Sequence, residues 1–302
     1  MRKIVLLMVL ILIIIGCTTK KGPTGTISDL NIHKGTDGLV ISFIKNSPPE
    51  EVFEEEEFPV YVLVENKGAY DVLNGYITLG FQQDYFEAAT KSRNFNLEGK
   101  SLANPIGEQK IFRFLVNAKK IIGESRTVPI AVSSCYSYKT TAIESVCIDT
   151  DVYDVKAVER ACSVSDVSIK GGQGGPVAVT KIESKMLTNE EESRIIPQYT
   201  IEIENVRGGN IIRTERAQDL CSATALSRDD LYVVGINVEL SEQRLHCNKD
   251  SLKLMEEKDK IICRLESGIE KDKAAYTTLL KIELDYGYSE TIIKNIIINE
   301  KI

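Results

Sequence analysis

Seven cysteines carry the most readable chemistry in this 302-residue sequence. One of them, Cys17, follows Gly16 at the end of an apolar run, Ile4 to Ile15, that begins behind Arg2 and Lys3. A short cationic start and an apolar run of that length have the form of a signal peptide, so the chain is expected to be exported. The other six are Cys135, Cys147, Cys162, Cys221, Cys247 and Cys263. An even number of cysteines in an oxidising compartment predicts disulfides, although spacing alone leaves many pairings open. Cys135–Cys147 and Cys247–Cys263 are the expected pairs, because each joins two apolar segments that read as neighbouring strands. Cys162–Cys221 is what remains. Metal ligation by these cysteines lacks a pattern: no C-x-x-C occurs, and His33 and His246 do not give a spacing that converges on a structural zinc.

Carboxylates offer a second chemistry. Asp149, Asp151 and Asp154 crowd one short stretch and are the candidate calcium ligands, since that hard cation takes about six to eight oxygens. Calcium there would stiffen a joint between domains, and no other cofactor is expected. Glu50-Glu51 and Glu54-Glu55-Glu56-Glu57 are denser, but consecutive glutamates point apart, and a solvated strand edge accounts for them. Gly171-Gly172-Gln173-Gly174-Gly175-Pro176 has neither phosphate-loop nor dinucleotide spacing. It reads as an open or bulged loop where another backbone can come close.

Catalysis has no foundation in the sequence, and the chain is expected not to be an enzyme. Two poorly placed histidines make no nucleophile relay. No carboxylate pair is singled out for glycoside chemistry. With no Trp, only Tyr85, Phe86, Tyr136 and Tyr138 are left as stacking surfaces for a sugar. Lys and Arg number 37 against 44 Asp and Glu, a net charge of −7, and loss of Arg2 and Lys3 would take it to −9. Such a surface repels phosphate backbones, which removes nucleic acid from the expected partners.

The elements that position these residues read as strands. Leu39–Ile44 is apolar and β-branched and stops at Pro48-Pro49. In Pro59–Gly68, Val60, Val62 and Val64 alternate at period two before Asn66 and Gly68 mark a turn. Tyr76–Phe81, Ile111–Val116, Thr127–Tyr136 and Ala142–Ile148 follow, the last two joined by Lys139-Thr140-Thr141. Tyr199–Gly209 repeats the theme: Glu204-Asn205 aligns with Glu65-Asn66, and Tyr199, Ile201 and Ile203 fall on Val60, Val62 and Val64. Further strands are expected at 176–182, 211–214, 231–240, 260–265, 277–286 and 289–298, with Gly287 as the last turn and one capped helical turn at Ser227–Asp230. The expected fold is all-β, with two antiparallel immunoglobulin-like sandwiches. The expected divisions are a signal peptide at 1–16, a lipidated cysteine and tether at 17–37, a first sandwich at 38–150, a linker at 151–161 and a second sandwich at 162–302.

Ile14-Ile15-Gly16-Cys17 resembles the lipobox of secreted lipoproteins, in which cleavage before the cysteine is followed by acylation of its thiol. The resemblance implies lipid attachment at Cys17 and residence on the outer face of the cell membrane. Two acyl chains suffice for stable anchoring at about 0.8 kcal/mol per buried CH₂. The glycine-rich stretch behind it would hold the folded part away from the bilayer. Phe58–Val72, apolar alternation followed by Glu65-Asn66-Lys67-Gly68 and Val72, resembles the CARDB-type domain, an immunoglobulin-like sandwich of prokaryotic surface proteins associated with adhesion. Gly38-Leu39, Pro48-Pro49, the acidic run and Cys135-Tyr136-Ser137-Tyr138 extend a likeness to uncharacterised archaeal and bacterial surface proteins. These resemblances imply an adhesion, scaffold or assembly module with protein partners at the cell envelope. The alternative is a ligand- or calcium-binding accessory of a transporter or envelope complex.

Overall fold

Strands dominate the residues that the computed structural model describes, which are 32–153, 160–189, 193–222 and 224–301. The first half holds β1 (Leu39–Phe43), β2 (Glu51–Phe53), β3 (Glu57–Asn66), β4 (Val72–Phe81), β5 (Phe86–Glu87), β6 (Ser92–Leu97), β7 (Gln109–Ala118) and β8 (Ser125–Ile148). The second holds β9 (Val167–Ser168), β10 (Val177–Asn189), β11 (Arg194–Asn205), β12 (Asn210–Ile212) and a 3₁₀ helix, Thr214–Cys221. It continues with β13 (Val233–Leu240), β14 (Gln243–Arg244), β15 (His246–Cys247), β16 (Ser251–Lys253), β17 (Lys258–Arg264), β18 (Ile269–Glu270) and β19 (Tyr276–Asn299).

Two smaller sheets, β1-β3-β7-β5 and β15-β17-β11-β10-β9, share a third built on β8 and β19. Alternation places the core. Val60, Val62 and Val64 of β3 are fully buried, as are Tyr199, Ile201 and Ile203 of β11. Phe112, Phe114 and Val116 of β7 join the first set. The fold is thus the all-β antiparallel sandwich arrangement that the period-two pattern requires.

β8 and β19 are each 24 residues long and pair antiparallel throughout, from Tyr276 opposite Ile148 to Asn299 opposite Ser125. An ordinary strand has about five or six residues. Here about 80 Å of ladder passes through both sandwiches, at about 3.3 Å per residue. The sequence expectation of turns at Lys139-Thr140-Thr141 and Gly287 is therefore corrected. Threonine is β-branched and suits a strand. Thr140 is buried and hydrogen-bonds Tyr286 Oη at 2.7 Å. Lys139 stays extended beside Asp285 at 3.6 Å. Gly287 serves close packing. A Cβ there would lie 2.7 Å from Ile212 Cγ2 and 2.8 Å from Ala217 Cβ, so only glycine lets the 3₁₀ helix seat on β19. Gly287→Ala is expected to destabilise the protein by about 1 to 3 kcal/mol through overpacking, read from denaturant midpoints at unchanged m-value.

The registers reveal an internal duplication. Tyr76 opposite Cys135 through Phe81 opposite Ile130 on β4 and β8 recurs as Gly235 opposite Asp285 through Leu240 opposite Leu280 on β13 and β19. Leu39 opposite Asn66 on β1 and β3 recurs as Val177 opposite Asn205 on β10 and β11. Glu65 opposite Gln109 on β3 and β7 recurs as Glu204 opposite Lys258 on β11 and β17. The two halves exchange the far ends of their last strands. Residues 137–148 of β8 lie against the part of β19 that pairs with β13. Residues 288–299 of β19 lie against the part of β8 that pairs with β4, and Ile297 pairs with Glu51 of β2. Residues 32–302 accordingly form one compact unit. A cut at 151–161 does not divide it into its two sandwiches, because each sandwich is completed by the other half's final strand.

Candidate sites at the cysteines, carboxylates and tyrosines

Three disulfides staple the sheets: Cys135–Cys221, Cys147–Cys162 and Cys247–Cys263. The last is as expected, since β15 and β17 are neighbours with Cys247 directly opposite Cys263. The expected pairs Cys135–Cys147 and Cys162–Cys221 are corrected. Cys135 and Cys147 share the single strand β8, which holds them roughly 40 Å apart. Cys135 instead receives Cys221 from the end of the 3₁₀ helix, and Cys147 receives Cys162 from the segment that leaves β8. Cys17 lies outside the described residues.

Asp149 and Asp151 do come together, around a guanidinium. Arg160 Nε is 3.5 Å from Asp149 Oδ2, and a second Arg160 nitrogen is 3.8 Å from Asp151 Oδ2. The Asp151 N–H donates to Asp149 Oδ1 at 2.9 Å. Asp154, the third candidate calcium ligand, lies outside the described residues. Among the described residues no three His, Cys, Asp or Glu side chains converge in a metal-binding group. The acidic run is spent on local structure. Glu56 accepts the Phe53 N–H, Glu54 accepts the Ile121 N–H, and Glu55 is 3.7 Å from Lys120. His33 packs against Tyr70, and exposed His246 is 4.0 Å from Glu266.

Four tyrosines form a buried waist, Tyr136 and Tyr138 on β8 and Tyr286 and Tyr288 on β19. Tyr138 is opposite Tyr286 and Tyr136 opposite Tyr288. All four are buried, with ring centroids 5.6 to 6.3 Å apart along the cluster. Each hydroxyl ties down a different segment. Tyr136 Oη accepts the Leu39 N–H at 3.1 Å, and Tyr286 Oη accepts the equivalent Val177 N–H at 3.4 Å. Tyr138 Oη accepts the Tyr70 N–H and donates to the Gly174 carbonyl, both at 3.1 Å. Tyr288 Oη accepts the Gly209 N–H at 2.8 Å and donates to Asn205 Oδ1 at 3.3 Å. Burial drives all four phenols above their ordinary range, Tyr288 to about 12. Tyr136 and Tyr138, named as sugar-stacking surfaces, are thus core, and so is Phe86, while Tyr85 packs under Arg126.

The repeated asparagines close the same turn twice. Asn66 Nδ2 donates to the Tyr70 carbonyl while its Oδ1 accepts the Gly68 N–H; Asn205 Nδ2 donates to the Gly209 carbonyl while its Oδ1 accepts the Gly208 N–H. The expected close approach at the glycine loop is also found. The Gly35 N–H donates to the Gly171 carbonyl, the Gly174 N–H to the Gly35 carbonyl, and the Ala69 N–H to the Gly174 carbonyl. A Cβ on Gly174 would meet Ala69 Cβ at 2.6 Å. The Tyr136-x-Tyr138 and Tyr286-x-Tyr288 repetition was the sequence signal that would have revealed this waist.

These features define a class, an all-β protein of antiparallel sandwiches stapled by disulfides. No family model matches the chain. No curated protein matches it. Among solved structures, the partial N-terminal region of the Enterococcal surface protein aligns at 9% identity over 89% of this chain and 87% of that one, with a TM-score of 0.20. A likeness that low carries no argument, and the class rests on the sheets themselves.

Proposed function

We propose that the chain is a lipid-anchored protein of the outer face of the cell membrane, acting there as an adhesion, scaffold or assembly module for protein partners. The observation that carries the reading is Gly16-Cys17 behind a short apolar run, followed by a body whose six remaining cysteines are all paired. Paired cysteines suit an oxidising compartment, and an acylated Cys17 would hold the body there. Buried tyrosines and saturated turns fill the interior with structural hydrogen bonds, which suits a module that works through its surface.

Growth with a clickable fatty acid is expected to label the native chain and leave Cys17→Ser unlabelled and released from membranes. Label retained on the Cys17→Ser variant, or membrane retention without any label, would refute the anchor.

A further inference from the structure

The duplication supplies an internal reference for what each surface does. In the second half the outer edge of β17 is covered: His246 pairs with Arg264 and Cys247 with Cys263. The Asn248 N–H donates to the Ile262 carbonyl at 2.9 Å, and the Ile262 N–H donates to Asn248 Oδ1 at 3.0 Å. β7 is the equivalent of β17. It pairs with β3 along its length and with β5 only at Asn117 and Ala118. Among the described residues no strand pairs with its outer edge over residues 109–116.

We propose that this edge of β7 is a strand-addition site for an extended segment of a partner protein, patterned apolar–x–acidic–x–apolar. The proposal rests on the reading above that the chain works through protein partners. The ladder fixes the direction of the free groups. The Ala118 N–H donates to the Glu56 carbonyl and the Asn66 N–H to the Glu108 carbonyl, so even-numbered residues face β3. By the alternation of antiparallel pairing, the N–H and C=O groups of Ile111, Arg113 and Leu115 face outward. The β3–β7 register has no bulge to twist the edge away.

Side chains give the pattern. Ile111, Arg113 and Leu115 lie on the sheet's outer face, Ile111 58% and Leu115 38% exposed. Across the ladder they meet Leu63, Tyr61 and Pro59, which makes an apolar strip interrupted by one guanidinium. The equivalent positions of the second half are Glu202 opposite Lys260, Thr200 opposite Ile262 and Gln198 opposite Arg264, and Glu202 and Lys260 are ion-paired at 3.1 Å. The second half carries polar or charged side chains at five of these six positions and a covering strand, and the first half has an apolar strip and a bare edge. No ion pair is formed by Arg113 or Lys110 among the described residues, and Lys110 sits over the Phe112 ring. Two cations on the edge oppose pairing with a second copy of β7 and favour a strand that brings a carboxylate opposite Arg113. Main-chain hydrogen bonds would supply affinity and the alternate side chains specificity.

The probe is a synthetic peptide with Val-Thr-Glu-Thr-Val at its centre, against a second with Lys in place of Glu, added to the full chain in detergent. Saturable binding of the first is expected, with hydrogen-exchange protection at Ile111, Arg113 and Leu115. Arg113→Glu should weaken it about tenfold and transfer preference to the Lys peptide. Leu115→Pro removes an outward N–H without touching the β3 ladder and should abolish binding. No saturable binding, indifference to Arg113→Glu, or protection confined to another edge would overturn the site. Photo-crosslinkers at Ile111 and across the rest of the surface, activated on intact cells, separate the two failures. Protein adducts from other positions but none from Ile111 would end this proposal and leave the partner-binding reading standing. Adducts from no position would end both.

Discussion

Deletion of residues 288–301 is expected to unfold the first sandwich, although they lie at the opposite end of the sequence from it. Ile296 and Ile298 are fully buried, Tyr288 nearly so, and all three lie on the exchanged end of β19. Loss of a buried isoleucine costs about 2 to 5 kcal/mol, and of a large aromatic about 3 to 5. Three such losses alone reach the whole stability of a typical protein, about 5 to 15 kcal/mol. The deletion also strips β8 of a ladder partner from Ser125 to Tyr136, with Val128, Ile130 and Val132 left under an uncovered edge. Native-state hydrogen exchange should show protection lost in β3, β4 and β7. Protection kept in those strands, with loss confined to β19, would mean that the exchanged end is only an appendage.

Raising the pH should produce the second large effect. The four waist phenols stay protonated in the folded protein because burial opposes their charged form, and neighbouring phenols add to this at Tyr136. In the unfolded chain they ionise near pH ~10. Above that pH the unfolded state binds fewer protons than the folded state, so stability falls as pH rises. The contribution is complete below pH ~10 and is lost towards and beyond Tyr288's value of about 12. Each retained proton costs about 1.4 kcal/mol per pH unit, so four cost about 5.5 kcal/mol per unit. The protein should therefore unfold cooperatively within about two units above pH ~10, with buried tyrosinate absorbance appearing together with loss of β-sheet circular dichroism. Tyr286→Phe should remove about a quarter of the waist's contribution to the alkaline slope, to which buried Tyr199 also adds. Ionisation of all the tyrosines ahead of unfolding would show that the waist is open to solvent.

Local pattern carried far in this sequence, and long-range geometry did not. The alternation in β3 and β11 and the alignment of Asn66 with Asn205 were legible because each depends on residues close in sequence. Cys247–Cys263 was legible for the same reason, a short connection between neighbouring strands. The expectation of Cys135–Cys147 rests on Lys139-Thr140-Thr141 as a turn, and a polar triplet marks a turn and a paired mid-strand segment alike. Lys139 and Thr140 are satisfied by β19 and Thr141 by the Tyr70 hydroxyl, partners distant in sequence that leave no local mark. Gly287 is ambiguous in the same way, since glycine marks a turn and a close approach with the same letter. Asp149 and Asp151 looked like cation ligands because the arginine that meets them arrives from beyond the next turn of the chain. The bare edge of β7 was invisible, because an edge is defined by what fails to pair with it.

The exchanged strands also set a timetable. Val128 has Ile296 as its ladder partner, and Glu51 pairs with Ile297, so residues made early await residues made late. A chain of separate modules can close each one as it emerges, N-terminal first. This chain cannot, because its first sandwich is unfinished until the final strand has been delivered. The first sandwich therefore closes late, when the residues that pair with Val128 and Glu51 have been made.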